Sequence, residues 1–329
     1  MENVVLFGNG LNLLNNDLSW HDLLDKILHK GLEDKDTSVC IPSALPNTLQ
    51  YDFILFNSDS VGKSIVEERQ LILKKCIADN VKHFATNDIY KILGELKVDT
   101  YLTTNYDHTL DESLRQIGYV PDLSKSNKQE KLYNIRRSRA FSKSGDTKII
   151  YPIHGDIDNP KSIVIGYNHY CGTIGKLDAY LKGRAKWEDK PLPKMEVRLY
   201  SKDFAVKSWI DHFFFSNVHI LGLGLDFSEI DLWWILDRRK RLIMEGCPIK
   251  NHTIFYDIVK KDVSYKDLLC EESKFKAKYE ILAKMDVEKC IYEVENDDYY
   301  SSYRKAIGNI EKCISNDICS RTNGDDILC

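Results

Sequence analysis

The chain predicts an α/β fold in which a mostly parallel sheet is flanked by helices, and three observations carry that class. Short β-branched or aromatic runs recur at Val4–Phe7, Thr100–Thr103, Lys148–Ile153, Ser162–Ile165, Val218–Leu223 and Thr253–Tyr256. Long helical or irregular stretches separate most of them, so hairpins cannot join them throughout and crossover connections are required. Four of the runs stop abruptly at glycine or at Thr, Asn, Asp and His, the punctuation expected where strand ends face a ligand.

The elements follow in order. Val4–Phe7 reads as a strand ending in Gly8-Asn9-Gly10. The following segment, LNLLNNDLSWHDLLDKIL, places Leu18, Leu23, Leu24, Ile27 and Leu28 at helical spacing, with Ser19 as its N-cap. Residues 30–65, with Pro42 and Pro46, read as loop-rich. Val66–Leu96 reads as two helices, the second beginning near Asn87-Asp88. A helix is expected from His108, and another after Gly222 and Gly224, with Ser228 as cap and Asp231 in its first turn. Trp233 and Trp234 read as packing residues. Beyond Val259 the chain turns charged and tyrosine-rich and reads as helical, with a frayed end at SNDICSRTNGDDILC.

Composition narrows the function. With 43% hydrophobic residues, the 329-residue chain can build a sizeable core. A net charge of −4 gives no global attraction to nucleic acid or an anionic membrane. No apolar run approaches the roughly 20 residues of a membrane-spanning helix. Glu2 stands where a secretory signal carries positive charge, and Asn9 interrupts the short apolar run, so a cytoplasmic protein is expected. The nine cysteines are widely scattered with no C-x-x-C pair, which favours reduced thiols and disfavours a cysteine-paired zinc module.

Four strand ends are the candidate chemistry. VVLFGNGLNLL could lay a phosphate against free backbone N–H groups, or be a tight turn without a ligand. Leu13 stands where a dinucleotide fingerprint has its third small residue, and no acidic residue follows a second strand, so an ordinary dehydrogenase is disfavoured. In YLTTNYDHTL, Thr103, Thr104, Asn105 and Asp107 either meet a ligand or cap the helix that follows. His154-Gly155, after the Lys148–Ile153 run, is either structural or a proton-handling group at a strand end. Gly222 and Gly224 close a fourth run. Together the four ends suggest one nucleotide-sized pocket.

The set GNGLN, TTNYD, IHGDI and GLGLDF, in that order, resembles the sirtuin-like domains of bacterial antiphage-defence proteins, the branch that includes the NAD-hydrolysing effector of Thoeris systems. The resemblance covers roughly residues 1–257, and TTNYD and His-Gly are its most specific parts. Asn9 and Thr104 stand where deacylating sirtuins carry alanine and glutamine, and the cysteine pairs of their zinc module are absent. The resemblance implies a Rossmann-like sheet without a zinc module, in a domain over 1–258 with a helical insertion about 25–97 and another about 120–205. A helical extension over 259–329 would follow.

It further implies that NAD+ is a substrate, cleaved to nicotinamide and ADP-ribose without a metal, by an abortive-infection effector. Asn105 would hold the nicotinamide ribose and the attacking water, His154 would act as general base, and Asp107 would orient ribose or nicotinamide. Gly8, Asn9 and Gly10 would take the pyrophosphate with Asn12 nearby, Thr103 and Thr104 would border the site, and Gly222 and Gly224 would admit the adenosine half. A deacylase, an ADP-ribosyl transferase or a nucleotide-sensing module is the alternative. A homo-oligomer and a separately encoded activating partner or phage trigger are also implied. The basic stretch Lys125–Lys148, with Arg136, Arg137 and Arg139, could touch nucleic acid, though a solvated hairpin or a surface for another subunit is favoured.

Overall fold

The computed structural model describes residues 1–15, 18–31, 40–57, 62–127, 131–187, 189–260 and 274–320. The first strand, β1 (Glu2–Phe7), leads into a 3-10 segment over Asn9–Asn15. Four helices follow: α1 (Trp20–Gly31), α2 (Asn47–Phe56), α3 (Lys63–Val81) and α4 (Asp88–Glu95). Next come β2 (Thr100–Thr103), α5 (Thr109–Gln116), β3 (Val120–Pro121), β4 (Arg139–Lys143) and β5 (Asp146–Pro152). The middle of the chain holds α6 (Tyr167–Leu181), a small hairpin of β6 (Lys186–Trp187) and β7 (Lys190–Pro191), α7 (Met195–Ser201) and α8 (His212–Phe215). The last elements are β8 (Ser216–Leu221), α9 (Ile230–Met244), β9 (Thr253–Lys260), α10 (Lys274–Lys284), β10 (Val287–Val294) and α11 (Tyr299–Ser320).

Eight strands form the main sheet in the order β10-β9-β8-β1-β2-β5-β4-β3. From β10 to β5 every pairing is parallel, and only the β5–β4 and β4–β3 pairings are antiparallel. The expected α/β class is therefore observed. The chain builds outward from β1 through β2 to β5, then crosses to the other side of β1 to lay down β8, β9 and β10. The strand order thus reverses beside β1, the place where open parallel sheets gather ligands.

The central strands are buried on both faces. Alternation sends Val4 and Leu6 of β1 to one face, with Val218, Ile220, Trp209, Phe213 and Ile235. Val5 and Phe7 go to the other, with Tyr101, Ile89, Leu93, Leu114, Ile307 and Ile310. A third core joins Leu24 and Ile27 of α1 to Tyr51 and Ile54 of α2 and Leu73 and Ile77 of α3. No helix of the described residues is long and apolar enough to cross a membrane.

Several expectations need correction. Ser162–Ile165 is not a strand: Pro160–Ser162 forms a 3-10 turn, and Ile163 and Ile165 bury in the core shared by α1, α2 and α3 instead. The helix capped by Ser19 does start at Trp20, while LNLL before it coils as a 3-10 segment. Ser19 does cap it: Ser19 Oγ accepts the Asp22 N–H at 3.2 Å while Asp22 Oδ2 accepts the Ser19 N–H at 3.2 Å. The stretch read as loop-rich contains α2, whose Pro46 stands directly before it rather than breaking it. Asn87 caps α4 as expected, accepting the Ile89 and Tyr90 N–H groups. Ser228 caps nothing; its N–H goes to Asp226 and α9 begins two residues later.

The chain beyond Val259 is not wholly helical, because β10 joins the main sheet beside β9 over eight register pairs. Of the stretch expected to fray, SNDICSRTNGDDILC, residues 315–320 continue α11, and residues 321–329 lie outside the described residues. In the basic stretch, residues 128–130 also lie outside them, but β4 and β5 turn several of its cations inward. Arg139 sits between Asp111 and Asp156, and Lys148 donates to the Leu96 and Val98 carbonyls at 2.8 and 2.7 Å. Cys40, Cys76, Cys171, Cys247, Cys290 and Cys313 form no disulfide.

Candidate active site

Three neighbouring parallel strands stop at one level, because Phe7 of β1 pairs with both Thr103 of β2 and Leu221 of β8. The turns beyond them are laced together. Thr104 N–H donates to the Phe7 carbonyl at 3.2 Å, Gly8 N–H to Leu221 at 3.3 Å and Gly10 N–H to Gly222 at 2.8 Å. Glycine is required at position 10, where a Cβ would lie 2.7 Å from the Gly222 carbonyl oxygen.

A cleft of about 870 Å³ opens at this level. Eight of the residues singled out in the sequence line it: Asn9, Gly10, Thr104, Asn105, Asp107, His154, Gly222 and Gly224. Gly8, Thr103 and Asn12 are not on its wall but support it from below. Thr103 Oγ1 accepts the Asn105 N–H at 3.0 Å, which fixes the backbone of the residue that faces the cleft.

The turn after β2 resolves both readings of TTNYD. Asp107 Oδ1 accepts the Thr109 N–H at 2.9 Å and the Thr109 hydroxyl at 2.5 Å, holding the start of α5. Its Oδ2 accepts the Asn12 amide at 2.8 Å. Asp107 thus reaches the cleft wall with both oxygens engaged. Asn12 is fully buried and fully used: it also donates to Asn9 Oδ1 at 2.9 Å and accepts the Tyr90 hydroxyl at 2.6 Å. Asn105 Nδ2 reaches the same tyrosine oxygen at 3.4 Å. One polar network therefore ties the β1 turn, α4 and the β2 turn together. Tyr106 also lines the cleft, while its hydroxyl donates to the Val164 carbonyl at 2.7 Å.

His154 follows β5 and is almost wholly buried. Gly155 has φ +109°, and a Cβ there would sit 2.5 Å from the Ser162 carbonyl, so the His-Gly order is a packing requirement. Its Nε2 lies 3.0 Å from Asp231 Oδ2 and its Nδ1 lies 3.7 Å from Glu229 Oε2. The Tyr170 ring meets the imidazole edge-on at 5.2 Å. Burial alone would lower the imidazole pKa, but the Asp231 carboxylate, reinforced by Glu229, outweighs it and holds the pKa above its ordinary value. Burial pushes Glu229 up to about 7, with Asp231 and Asp226 adding to the rise and His154 opposing it.

Sequence reasoning missed Glu229, Tyr170 and Tyr90, and placed Asp231 only as a helix-end charge. Three acids, Asp226, Glu229 and Asp231, crowded into GLGLDFSEIDLWW just past a strand end are the signal that could have found Glu229 and Asp231. Trp233 and Trp234 pack against the core as expected.

Among the described residues, two groups bring three metal-capable donors within 4.8 Å: His154, Glu229 and Asp231, and His108, Asp156 and Asp158. In each, the histidine already bonds a carboxylate at 3.0 Å, so neither needs an ion to satisfy it. Chemically, the arrangement offers a buried imidazole backed by a carboxylate, a half-exposed carboxyl poised near neutrality, and an amide at the same opening.

A family model described as a SIR2-like domain matches residues 99–255. The NAD(+) hydrolase ThsA of Enterococcus faecium is 30% identical over 171 residues, 51% of this chain and 31% of that protein. The protein of the same name from Cytobacillus dafuensis is 25% identical over 282 residues, 85% of this chain and 46% of its own length. That from Bacillus cereus (strain MSX-D12) is 27% identical over 183 residues, 55% and 34% respectively. The chain thus spans less than half the length of each of these relatives.

Proposed function

We propose that the chain, which matches a SIR2-like domain over residues 99–255, is an NAD+ glycohydrolase, splitting NAD+ into nicotinamide and ADP-ribose. The observation that carries the reading is the opening of Asn105 and His154, from two different strand ends, on one cleft. Its volume of about 870 Å³ suits a dinucleotide.

In the proposed reaction the bond between ribose C1′ and the nicotinamide nitrogen breaks, its electron pair leaving with nicotinamide. Positive charge develops on the ribose, and the carboxylates of the cleft favour that charge electrostatically. Water attacks C1′ and loses a proton. Asn105, anchored through Thr103 and Tyr90, orients the ribose and the water. Asp231 accepts the Nε2 proton of neutral His154, leaving Nδ1 as the proton acceptor. Asp107, with both oxygens engaged, holds the wall in place. NAD+ depletion would make the protein an antiphage abortive-infection effector, acting as a homo-oligomer and awakened by a separately encoded partner or a phage product.

The test is incubation with NAD+ alone, with nicotinamide and ADP-ribose followed by chromatography. Nicotinamide and free ADP-ribose should accumulate without any acylated or protein acceptor. Asn105→Ala and His154→Ala should each lower the rate on the order of 10² to 10⁴ while the protein stays folded. Turnover that requires an acceptor would instead identify a deacylase or transferase.

A further inference from the structure

The cleft poses a charge problem for a dinucleotide. Six carboxylates line it, from Asp107, Asp226, Glu229, Asp257, Asp297 and Asp298, and among the described residues no lysine or arginine does. A diphosphate bears two negative charges and needs hydrogen-bond donors. The glycine turn after β1 is where it would be expected, yet the donors there are mostly spent. Gly8 and Gly10 give their N–H groups to Leu221 and Gly222, and the Asn9 amide donates to the Leu18 carbonyl at 3.1 Å.

Tyr303, in the first turns of α11, meets that need. It is only 5% exposed, packed with Ile307 and Phe7 on the sheet face. Its ring reaches the glycine turn: a Cβ on Gly10 would lie 2.6 Å from the phenol oxygen. The residue lines the cleft, and its hydroxyl has no hydrogen-bond partner among the described residues. A phenol so deeply held with an unused donor at a ligand opening calls for an external acceptor. Burial and the nearby Asp257 raise its pKa, so it remains a donor at any ordinary pH.

We infer that the Tyr303 hydroxyl donates a hydrogen bond to the diphosphate of the bound dinucleotide, so that α11, outside the matched 99–255 region, completes the substrate site. The inference rests on the dinucleotide reading above and deepens it. A neutral donor suits this opening because it grips the diphosphate without cancelling the negative field that the scissile ribose requires.

Tyr303→Phe in the full chain keeps the ring and removes the donor. Calorimetry with ADP-ribose, which carries the diphosphate, is compared with adenosine, which does not. The variant should bind ADP-ribose about 10- to 100-fold more weakly, bind adenosine as the wild type does, and melt at the wild-type temperature. With NAD+, KM should rise by a similar factor while kcat holds within about threefold. Unchanged ADP-ribose affinity in the variant overturns the inference, as does a wild type that binds no ADP-ribose, or a loss shared equally with adenosine. A wild type that hydrolyses NAD+ with the variant's KM unaltered removes the Tyr303 role and leaves the hydrolase. Selective loss of ADP-ribose binding in a protein that releases no nicotinamide keeps the role and removes the hydrolase.

Discussion

Asn12 donates its side-chain amide to Asp107 across 2.8 Å, joining positions 95 residues apart and making the turns after β1 and β2 one rigid wall. Both residues stand out in the sequence as candidates to touch a ligand. In the folded chain they touch each other, and Asn105 presents its amide beside them.

Asn12→Ala should therefore act as a stability mutation. It removes one buried hydrogen-bond partner from the Tyr90 hydroxyl and one from Asp107 Oδ2, at about 2–4 kcal/mol. Urea denaturation measures this directly. A variant as stable as the wild type would show that the network carries no weight.

Glu229 makes stability depend on pH. Folding raises its pKa from the ordinary 4.5 to about 7, so the folded chain binds the proton more tightly than the unfolded one. Stability then falls as pH rises from about 4.5 through about 7, by at most on the order of 3 kcal/mol. Glu229→Gln should stabilise the protein by up to that amount at pH 8.5 and change little at pH 4. The same stability difference at both pH values would refute this account.

Asp231→Asn removes the carboxylate that raises the His154 pKa, leaving burial to lower it. Since folding raises the His154 pKa, its pairing stabilises fully below the unfolded value of about 6.5 and fades as pH rises through the folded one. The variant should lose that alkaline fade. In kcat/KM profiles the acid limb should move to lower pH, and kcat should drop on the order of 10²-fold as the imidazole loses its orientation. An acid limb that stays in place would exclude His154 as the titrating base.

Two glycines separate folding from binding. Gly10→Ala drives a methyl against the Gly222 backbone and the Tyr303 hydroxyl, and should cost more than about 2 kcal/mol in denaturant titration. Nothing lies within 4 Å of a Cβ on Gly224, so Gly224→Ala should melt with the wild type. A raised KM for NAD+ in that folded variant would mark Gly224 as a point of close substrate approach.

Strands with strong local composition were legible in the sequence. Thr100–Thr103 is β2 to the residue, and β8 and β9 begin or end within a few residues of their expected bounds. Strand β10, VEKCIYEV, escaped notice because Glu288, Lys289 and Glu293 are charged and exposed, which dilutes its apolar pattern. Ser162–Ile165 misled in the opposite sense, since an apolar run can bury against helices without a strand beside it. The helix α2 was hidden because it is buried round much of its circumference, including Thr48, Gln50 and Asp52, so no clean stripe marks it.

By itself the sequence determined the class of sheet and which strand ends carry polar or glycine punctuation, because short-range composition and periodicity encode both. Only the tertiary structure decided who answers whom at those ends. Asp231 reaches His154 from 77 residues away, and Tyr303 reaches the first glycine turn from the far end of the chain. Those pairings follow from strand order: β8 lies against β1, so distant turns share one opening, and no local pattern records adjacency created by a crossover.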